Sequence, residues 1–167
     1  MPRPPHGVLT GQIHSNGWVR SKHTRLFMCA VDATTCSERA LEWLMENLVD
    51  DGDEVVAVRI LDPEQFDMDL DSVRTRAHNL LSSIVELNET AEERKVRAVI
   101  PRIPAHPGQI AVSVEFITGA IRTSIMRLVA MYRPDSLTIS TRGKPVSAIQ
   151  KMLGSTPLGS ISKYVFA

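Results

Sequence analysis

Four short apolar segments alternate along this 167-residue chain with four stretches whose apolar residues recur at helical spacing. The apolar segments are Leu26 to Val31, Glu54 to Leu61, Ile110 to Phe116, and Ser136 to Ser140. When strands and helices alternate, each helix carries the chain back across the sheet, so that successive strands run parallel. The pattern therefore predicts an α/β fold: an open, mostly parallel, twisted sheet with helices on both faces.

The helices are placed by their end signals. Thr35 to Glu38 has the pattern of a capping box, in which Thr35 caps the first helix and the carboxylate three residues later reaches back to it. Gly52 follows that helix as a stop signal. A long second helix is predicted to present the apolar residues between Val73 and Ala91 on one face, and a third is predicted between Gly119 and Pro134.

Two connections are predicted to be irregular. The first contains Asp62, Glu64, Asp67, Asp69 and Asp71. It lacks the glycine and terminal glutamate of a calcium-binding EF-hand, which favours a solvated acidic loop before the long helix. Lys95 to Gln109 contains three prolines and is predicted to be a surface excursion, with a brief pairing of Val96 to Ile100 as an option.

Residues 1–24 are predicted to form a flexible N-terminal tail ahead of one α/β domain over residues 25–167. The tail is rich in Pro, Gly, His and Ser, and its first 22 residues contain no acidic side chain. Trp18 is its one large aromatic residue, and we expect it either to pack back on the domain or to face a partner.

Composition narrows the function classes. The formal net charge is zero, whereas nucleic-acid-binding proteins usually carry a basic surplus, so no nucleic-acid partner is predicted. Cys29 and Cys36 are seven positions apart, a spacing that fits neither a metal site nor a disulfide framework. No apolar run approaches the ~20 residues of a membrane span, and no secretion signal is evident. These features predict a cytoplasmic or nuclear protein that has no membrane partner.

Three separated segments are predicted to meet at one edge of the sheet. Asp32, Ile60 and Ser140 stand at the carboxyl ends of predicted strands. Ligands of open α/β sheets bind beyond those ends, where the strand order reverses. The stretch from Ser140 to Gly143 has the composition of a tight turn, and Gly159-Ser160 then opens a last predicted helix. Such a loop can present backbone N–H groups and a helix N-terminus to a phosphate.

Several familiar catalytic and nucleotide-binding motifs are missing. The turn after the first strand reads DATTCS rather than G-x-G-x-x-G, and no P-loop sequence is present. His78 falls on the long helix, where a surface or packing role is favoured over that of a catalytic base. We therefore predict no catalytic residues and no protein-held metal.

The loop resembles the nucleotide-binding signature of universal stress proteins, G-x-x-G, nine residues, then G-S or G-T. LFMCAVDATTCSERALEW (Leu26 to Trp43) is similar to the first strand and helix of that family, and SVEFITGAIRTSIMRL (Ser113 to Leu128) to its third, in a fungal-type form. The resemblance covers roughly residues 25–166. It implies a Rossmann-like sheet of the adenine-nucleotide alpha-hydrolase-like type.

The resemblance also implies a set of site residues for ATP. The adenine and ribose would be held by Val31, Asp32 and Ile60. The phosphates would be held by Gly143, Gly159 and Ser160, with Arg142 and Lys144 beside Gly143 adding charge. Each has an alternative role in the fold alone: Asp32 as a turn cap, Gly143 as a turn residue, and Gly159-Ser160 as a helix start.

Three features depart from the family pattern. Ser140 stands where the first glycine is expected, and its Cβ would crowd the ligand. Fifteen residues separate Gly143 from Gly159 instead of nine, whereas Gly154-Ser155 follows after ten and offers a second register. The chain also stops before the fifth strand with which members of the family pair, so a homodimer is expected only if subunits associate in another way.

Two functions from different classes follow. The first is a stress-response or regulatory module that binds ATP or a related adenine nucleotide, with or without Mg²⁺, and at most hydrolyses it slowly. The alternative is a member of the same fold that binds no nucleotide and serves as a protein-interaction or dimerisation module, with Ser140 as its marker. A nucleotidyl- or pyrophosphate-handling enzyme of a related fold is the weaker third option, because DATTCS lacks the signature it would need.

Overall fold

A five-stranded sheet with helices on both faces forms the part of the chain that the structure, a computed structural model, describes: residues 7–99 and 108–140. Its elements are β1 (Val8–His14), β2 (Leu26–Ala30), α1 (Thr35–Asn47), β3 (Glu54–Leu61), α2 (Pro63–Met68), α3 (Leu70–Val99), β4 (Ala111–Thr118), α4 (Ile121–Tyr132) and β5 (Ser136–Ile139).

The strands lie in the order β1-β4-β3-β2-β5. The four strands predicted from the sequence, β2 to β5, pair in parallel, and β1 pairs with β4 in antiparallel orientation. Strand order therefore reverses at β2, because β3 lies on one side of it and β5 on the other. The predicted mostly parallel α/β sheet is confirmed.

Alternation along the central strands divides the core into two layers. On one face, Phe27, Cys29, Val55, Ala57, Val112, Val114 and Phe116 pack against Leu41, Leu44 and Met45 of α1 and Val73, Ala77 and Ile84 of α3. On the other face, Leu26, Met28, Val56, Val58 and Ile117 pack against Leu128 of α4. Both faces of the central strands are thus withdrawn from water, as expected for a parallel sheet.

Strand β1 is a correction to the predicted flexible tail, which is wrong for Val8–His14. Val8 pairs with Ile117 and His14 with Ala111, so the strand adds a full edge to β4. A Cβ on Gly11 would lie 3.1 Å from Cγ2 of Val114, which shows how closely this backbone approaches the core. Backbone hydrogen bonds to an open sheet edge hold this segment, and its own composition gives no sign of them.

Hydrogen bonds at the amino ends of the strands also hold the segment after β1. The indole Nε1 of Trp18 donates to the carbonyl of Gly52 at 3.3 Å, so this residue packs back on the sheet, one of the two roles expected for it. Gly52 has a φ of +91° in the turn before β3, where glycine is favoured. Arg25 bonds Asp53 in two places, through Nε at 3.1 Å and Nη2 at 2.6 Å.

Local boundaries depart from the predictions in three places. The N-cap of α1 is Thr34 rather than Thr35, because Oγ1 of Thr34 accepts from the backbone N–H of Ser37 at 3.3 Å. Part of the predicted acidic loop is the short helix α2, with proline in its first turn. Helix α3 continues to Val99, so the predicted surface excursion and the optional pairing of Val96 to Ile100 are both wrong for residues 95–99. In residues 7–99 and 108–140, no helix has the length and apolar character needed to cross a membrane.

Candidate functional site

The predicted site residues within the described ranges meet at the carboxyl edge of the sheet. The pairing of β2 ends at Ala30, whose partners are Val58 on β3 and Ile139 on β5. Val31, Asp32 and Ser140 directly follow these paired positions, and Ile60 lies two residues beyond Val58 on the strand that continues furthest. The edge therefore brings together Val31, Asp32, Ile60 and Ser140, as the sequence predicted.

This edge includes the point where strand order reverses. Helices α1 and α3 cover one face of the sheet, whereas α4, which carries the chain from β4 to β5, packs against the other. In open α/β sheets, ligands bind beyond the carboxyl ends of the strands at the point where strand order reverses. That point lies at the ends of β2 and β5 in this sheet.

A tight turn at Asp32 follows the carboxyl end of β2. Oδ1 of Asp32 accepts hydrogen bonds from the backbone N–H of Thr34 at 3.1 Å and from its Oγ1 at 2.5 Å. Ala33 between them has a φ of +59°, a left-handed conformation that is uncommon for a residue with a Cβ. The Asp32 backbone N–H in turn donates to Oγ of Ser37 at 3.2 Å. Asp32 thus holds the turn that precedes α1 and is nevertheless exposed to solvent.

The apolar residues of the site lie on opposite faces. Val31 is buried in the layer under α1 and α3, and its N–H donates to the carbonyl of Val58 at 2.9 Å. Ile60 is partly buried and packs against the layer under α4. Ser140, the last residue described before the glycine loop, is also partly buried. The side chains of Val31 and Ile60 thus pack into the two core layers, while their backbones lie at the carboxyl edge of the sheet.

Two arginines near Asp32 add positive charge that the sequence did not assign to a site. Arg59 stands directly before Ile60 on β3, and its guanidinium carbon lies 5.7 Å from the centre of the Phe116 ring. Partial burial lowers the pKa of Arg59, Arg76 of α3 lowers it further, and Asp32 opposes both effects. The sequence signal that could have pointed to Arg59 is a single positive charge near the carboxyl end of an otherwise apolar strand. Its neighbour Arg76 is 17 positions away and is brought there by α3.

The rest of the predicted site lies outside the described residues. This applies to Arg142, Gly143, Gly159 and Ser160, and to the alternative pair Gly154-Ser155. Their role as phosphate contacts stays a prediction. Within the described ranges, no group of three or more His, Cys, Asp or Glu side chains is arranged to hold a metal ion.

This sheet order, with its reversal at β2 and helices on both faces, defines a doubly wound α/β domain. A family model described as the Universal stress protein family matches residues 24–167. A universal stress protein A family protein of Schizosaccharomyces pombe is 32% identical over 161 residues, which cover 94% of this chain. The chain therefore belongs to the universal stress protein family.

The curated relative is a longer protein, and this chain spans about half of it, 46% of its length. Solved structures with a similar fold include a protein from Mycobacterium tuberculosis H37Rv, 18% identical, with a TM-score of 0.43 over 88% of this chain and 94% of that chain. Another is a universal stress protein family protein from Arabidopsis thaliana, 22% identical, with a TM-score of 0.44 over 80% of this chain and 88% of that chain; that structure has AMP bound.

Proposed function

We propose that this domain binds ATP or a related adenine nucleotide beyond the carboxyl ends of β2 and β5 and acts as a regulatory, stress-response module. The observation that carries the proposal is the convergence of Val31, Asp32, Ile60 and Ser140 at one edge of the sheet. These residues come from three separated segments of the chain. Their meeting at the reversal point is what a ligand site of this fold class requires.

In this proposal the adenosine end of the ligand lies against the ends of β2 and β3. The Asp32 carboxylate is exposed there and can accept hydrogen bonds from a ribose hydroxyl or the adenine amino group. The backbone at Ile60 lies beyond the last β2 pairing, which frees polar groups on that side of β3 for the base. A planar apolar base and a hydroxylated sugar match this combination of apolar and acceptor groups.

The phosphate end is assigned to the loop after β5. Gly143 and Gly159 would allow the backbone to approach the phosphates closely, and Ser160 would donate its hydroxyl at the start of a helix. Arg142 would add a charged contact. Since the described residues offer no metal cluster, a magnesium ion would be held mainly by the phosphates themselves.

The rival function is a protein-interaction module without nucleotide, and two observations favour it. Asp32 already serves the fold by holding its turn, so its presence does not require a ligand. Ser140 places a Cβ where the family pattern has glycine. We take the nucleotide site as the primary proposal because an interaction module does not require Val31, Asp32, Ile60 and Ser140 to meet at the reversal point.

Thermal unfolding with ATP and magnesium separates the two functions. A ligand at one hundred times its dissociation constant stabilises the folded state by about 2.7 kcal/mol, so a binding domain should show a clear rise in its unfolding temperature. Asp32→Asn retains an oxygen for the turn but removes the charge, and Gly143→Val blocks the loop. Both variants should lose much of the shift.

Asp50→Asn provides the matched control, because Asp50 is an exposed carboxylate near the amino ends of the strands, at the opposite edge of the sheet. This variant should keep the full shift. If ATP, ADP and AMP all leave the unfolding temperature of the unchanged protein where it was, the interaction module replaces the nucleotide site.

A cytoplasmic or nuclear location belongs to the same proposal. It is supported by the two cysteines, which are both free thiols, Cys29 buried and Cys36 exposed. A homodimer would have to form through a surface other than the usual dimerising strand of the family, and sedimentation with and without ATP measures whether one forms. Localisation of a tagged full-length protein tests the compartment.

A further inference from the structure

Strand β1 ends the sheet on one side, and among the described residues β4 is its one strand neighbour. The carbonyl of Gly7 accepts a hydrogen bond from the N–H of Thr118 at 3.2 Å, and the N–H of Ser15 donates to the carbonyl of Ile110 at 2.9 Å. Bonded positions alternate in an antiparallel pair, so the odd-numbered residues turn their backbone toward β4. The even-numbered residues turn their N–H and C=O groups toward the open edge: Val8, Thr10, Gln12 and His14.

This edge lacks the features that usually keep sheet edges apart. Edge strands are commonly short, bulged, or interrupted by proline or charged side chains. The segment VLTGQIH has seven residues and contains no Pro, Asp, Glu, Lys or Arg, and it pairs with β4 residue by residue, without a bulge. Strand β5, at the other end of the described sheet, has only four residues. The open edge of β1 is therefore suited to pairing with another strand.

Apolar side chains lie along the same edge. Leu9 packs on the core layer under α1 and α3, and a Cβ on Gly11 would lie 3.9 Å from Leu81 of α3. The odd-numbered residues of β1 therefore face α3. Ile13 belongs to this set but is 44% exposed, and with Val85 of α3 it lines a cleft of about 240 Å³. Apolar surface is thus left uncovered beside the outward-facing backbone groups.

Helix α3 is uncharged where it passes Gly11. Residues 77–85, AHNLLSSIV, contain no Asp, Glu, Lys or Arg, although 23% of the chain is charged, and Arg76 and Glu86 directly flank this stretch. A two-fold axis sets residues close to it against their own copies, so a self-pairing surface must carry no like charges there. Strand β1 and this part of α3 meet that requirement around Gly11.

We propose that β1 is a self-association edge. The β1 strands of two copies of this chain pair in antiparallel orientation about a two-fold axis at Gly11, which joins the two sheets into one. Val8 then opposes His14 of the partner subunit, and Thr10 opposes Gln12 of the partner subunit. This register matches all the outward-facing backbone groups of both strands, whereas a shift in either direction leaves some of them unpaired.

The same register covers the apolar surface. Leu9 lies opposite Ile13 of the partner subunit, on the face toward α3, at a non-hydrogen-bonded position where side chains approach most closely. A single strand pairing of this length makes a small interface, so we expect a dissociation constant on the order of 10 μM. The edge is separated from β2 and β5 by β4 and β3, so the inference does not depend on the nucleotide site.

Sedimentation equilibrium of the full chain over a range of concentrations tests the edge. Gln12→Pro removes an outward N–H but no bond to β4, and Ile13→Lys places a charge opposite the apolar Leu9 of the partner subunit. Each should raise the dissociation constant by about 10-fold or more. Met131→Lys is the matched control: it replaces another exposed apolar side chain, on α4, with the same charge and should change the constant by less than about 2-fold. Circular dichroism establishes folding, and Ile13→Lys decides the test if Gln12→Pro does not fold.

Oxidative cross-linking tests the register. In a Cys36→Ser background, Val8→Cys and His14→Cys are made singly and together. A hydrogen-bonded antiparallel pair has Cα atoms about 5.5 Å apart, which suits a disulfide, so the double variant should form a covalent dimer on a non-reducing gel. In either single variant the two copies of the cysteine would be about 20 Å apart, so neither should cross-link comparably.

Three results would overturn the proposal. One is a monomer at every concentration, which would leave the edge to a strand from elsewhere. Another is a dimer that survives both Gln12→Pro and Ile13→Lys, which would place the interface on a different surface. The third is cross-linking of a single-cysteine variant as readily as the double variant, which would refute the two-fold register. The thermal shift with ATP should be the same for Ile13→Lys as for the unchanged protein, so the two proposals fail separately.

Discussion

Replacing Asp53 by alanine should destabilise the fold far more than replacing its neighbour Asp50, although both carboxylates bond the same arginine. Asp53 is buried, with a side chain 4% exposed, whereas the side chain of Asp50 is 68% exposed. Oδ1 of Asp53 accepts from Nε and the backbone N–H of Arg25, at 3.1 and 3.3 Å. Oδ2 accepts from Nη2 of Arg25 at 2.6 Å and from the backbone N–H of Asp50 at 2.8 Å.

Truncation to alanine leaves two backbone donors and one guanidinium without this acceptor. Each partly buried donor that loses its partner costs about 1–3 kcal/mol, with the lower figure appropriate where water can replace the carboxylate. Arg25 is 44% exposed, so its guanidinium is rehydrated and contributes little to the loss. We therefore expect Asp53→Ala to lower the free energy of unfolding by about 3 kcal/mol.

Urea denaturation at pH 7, followed by circular dichroism, measures the difference. With a slope of about 2 kcal/mol per molar urea, the midpoint of Asp53→Ala should fall by about 1.5 M. Asp50→Ala loses an exposed ion pair with Arg25 and should cost at most about 1 kcal/mol. Equal losses of unfolding free energy for the two variants, or a loss below about 1 kcal/mol for Asp53→Ala, would contradict this reasoning. Either result would mean that a buried hydrogen-bond acceptor stabilises the fold no more than an exposed ion pair does.

Two further predictions concern groups whose pKa is shifted. Burial raises the pKa of Glu115, which accepts a hydrogen bond from the Tyr132 hydroxyl. Because the folded state holds this proton more tightly than the unfolded state, the stabilisation is full below the ordinary value of 4.5 and is lost as the pH rises through the shifted pKa. Glu115→Gln should therefore match the unchanged protein near pH 4 and be more stable at neutral pH in urea denaturation; parallel pH profiles would contradict this. Burial also raises the pKa of Cys29 to about 12, so a thiol reagent at pH 8 should label exposed Cys36 in the native protein and Cys29 only after unfolding. Labelling of both cysteines at similar rates in the native state would show that Cys29 is accessible.

The four parallel strands could be predicted because each carries its own signal. A strand covered on both faces is mostly apolar, as Leu26–Ala30 and Val55–Val58 are. The helices between them show apolar residues at helical spacing for the same reason: each buries one face against the sheet. Their alternation then limits the arrangement to a parallel sheet, which the structure confirms.

Strand β1 could not be predicted in this way. It lies at the edge of the sheet, most of its side chains are exposed, and it contains Gly11 where the backbone approaches the core. What makes it a strand is the row of backbone groups on β4, which is more than 90 positions away along the chain. Local composition therefore indicated a flexible tail.

The helix cap shows a smaller failure of the same kind. Thr34 and Thr35 are adjacent and chemically identical, and the glutamate at position 38 favoured Thr35 as the cap. The structure selects Thr34 because Asp32 and the left-handed Ala33 turn the chain one residue earlier. Residue type alone did not distinguish the two possible cap positions.

The sequence by itself determined that strands and helices alternate, that the apolar runs are buried, and that Asp32, Ile60 and Ser140 stand near the carboxyl ends of strands. These properties are local, since each depends on the spacing of apolar residues within one segment. Only the tertiary structure decided that Val8–His14 completes the sheet and that Arg59 of β3 lies over the ring of Phe116 on β4. Those are meetings between segments distant in the chain, and they are set by how the whole sheet and its helices pack.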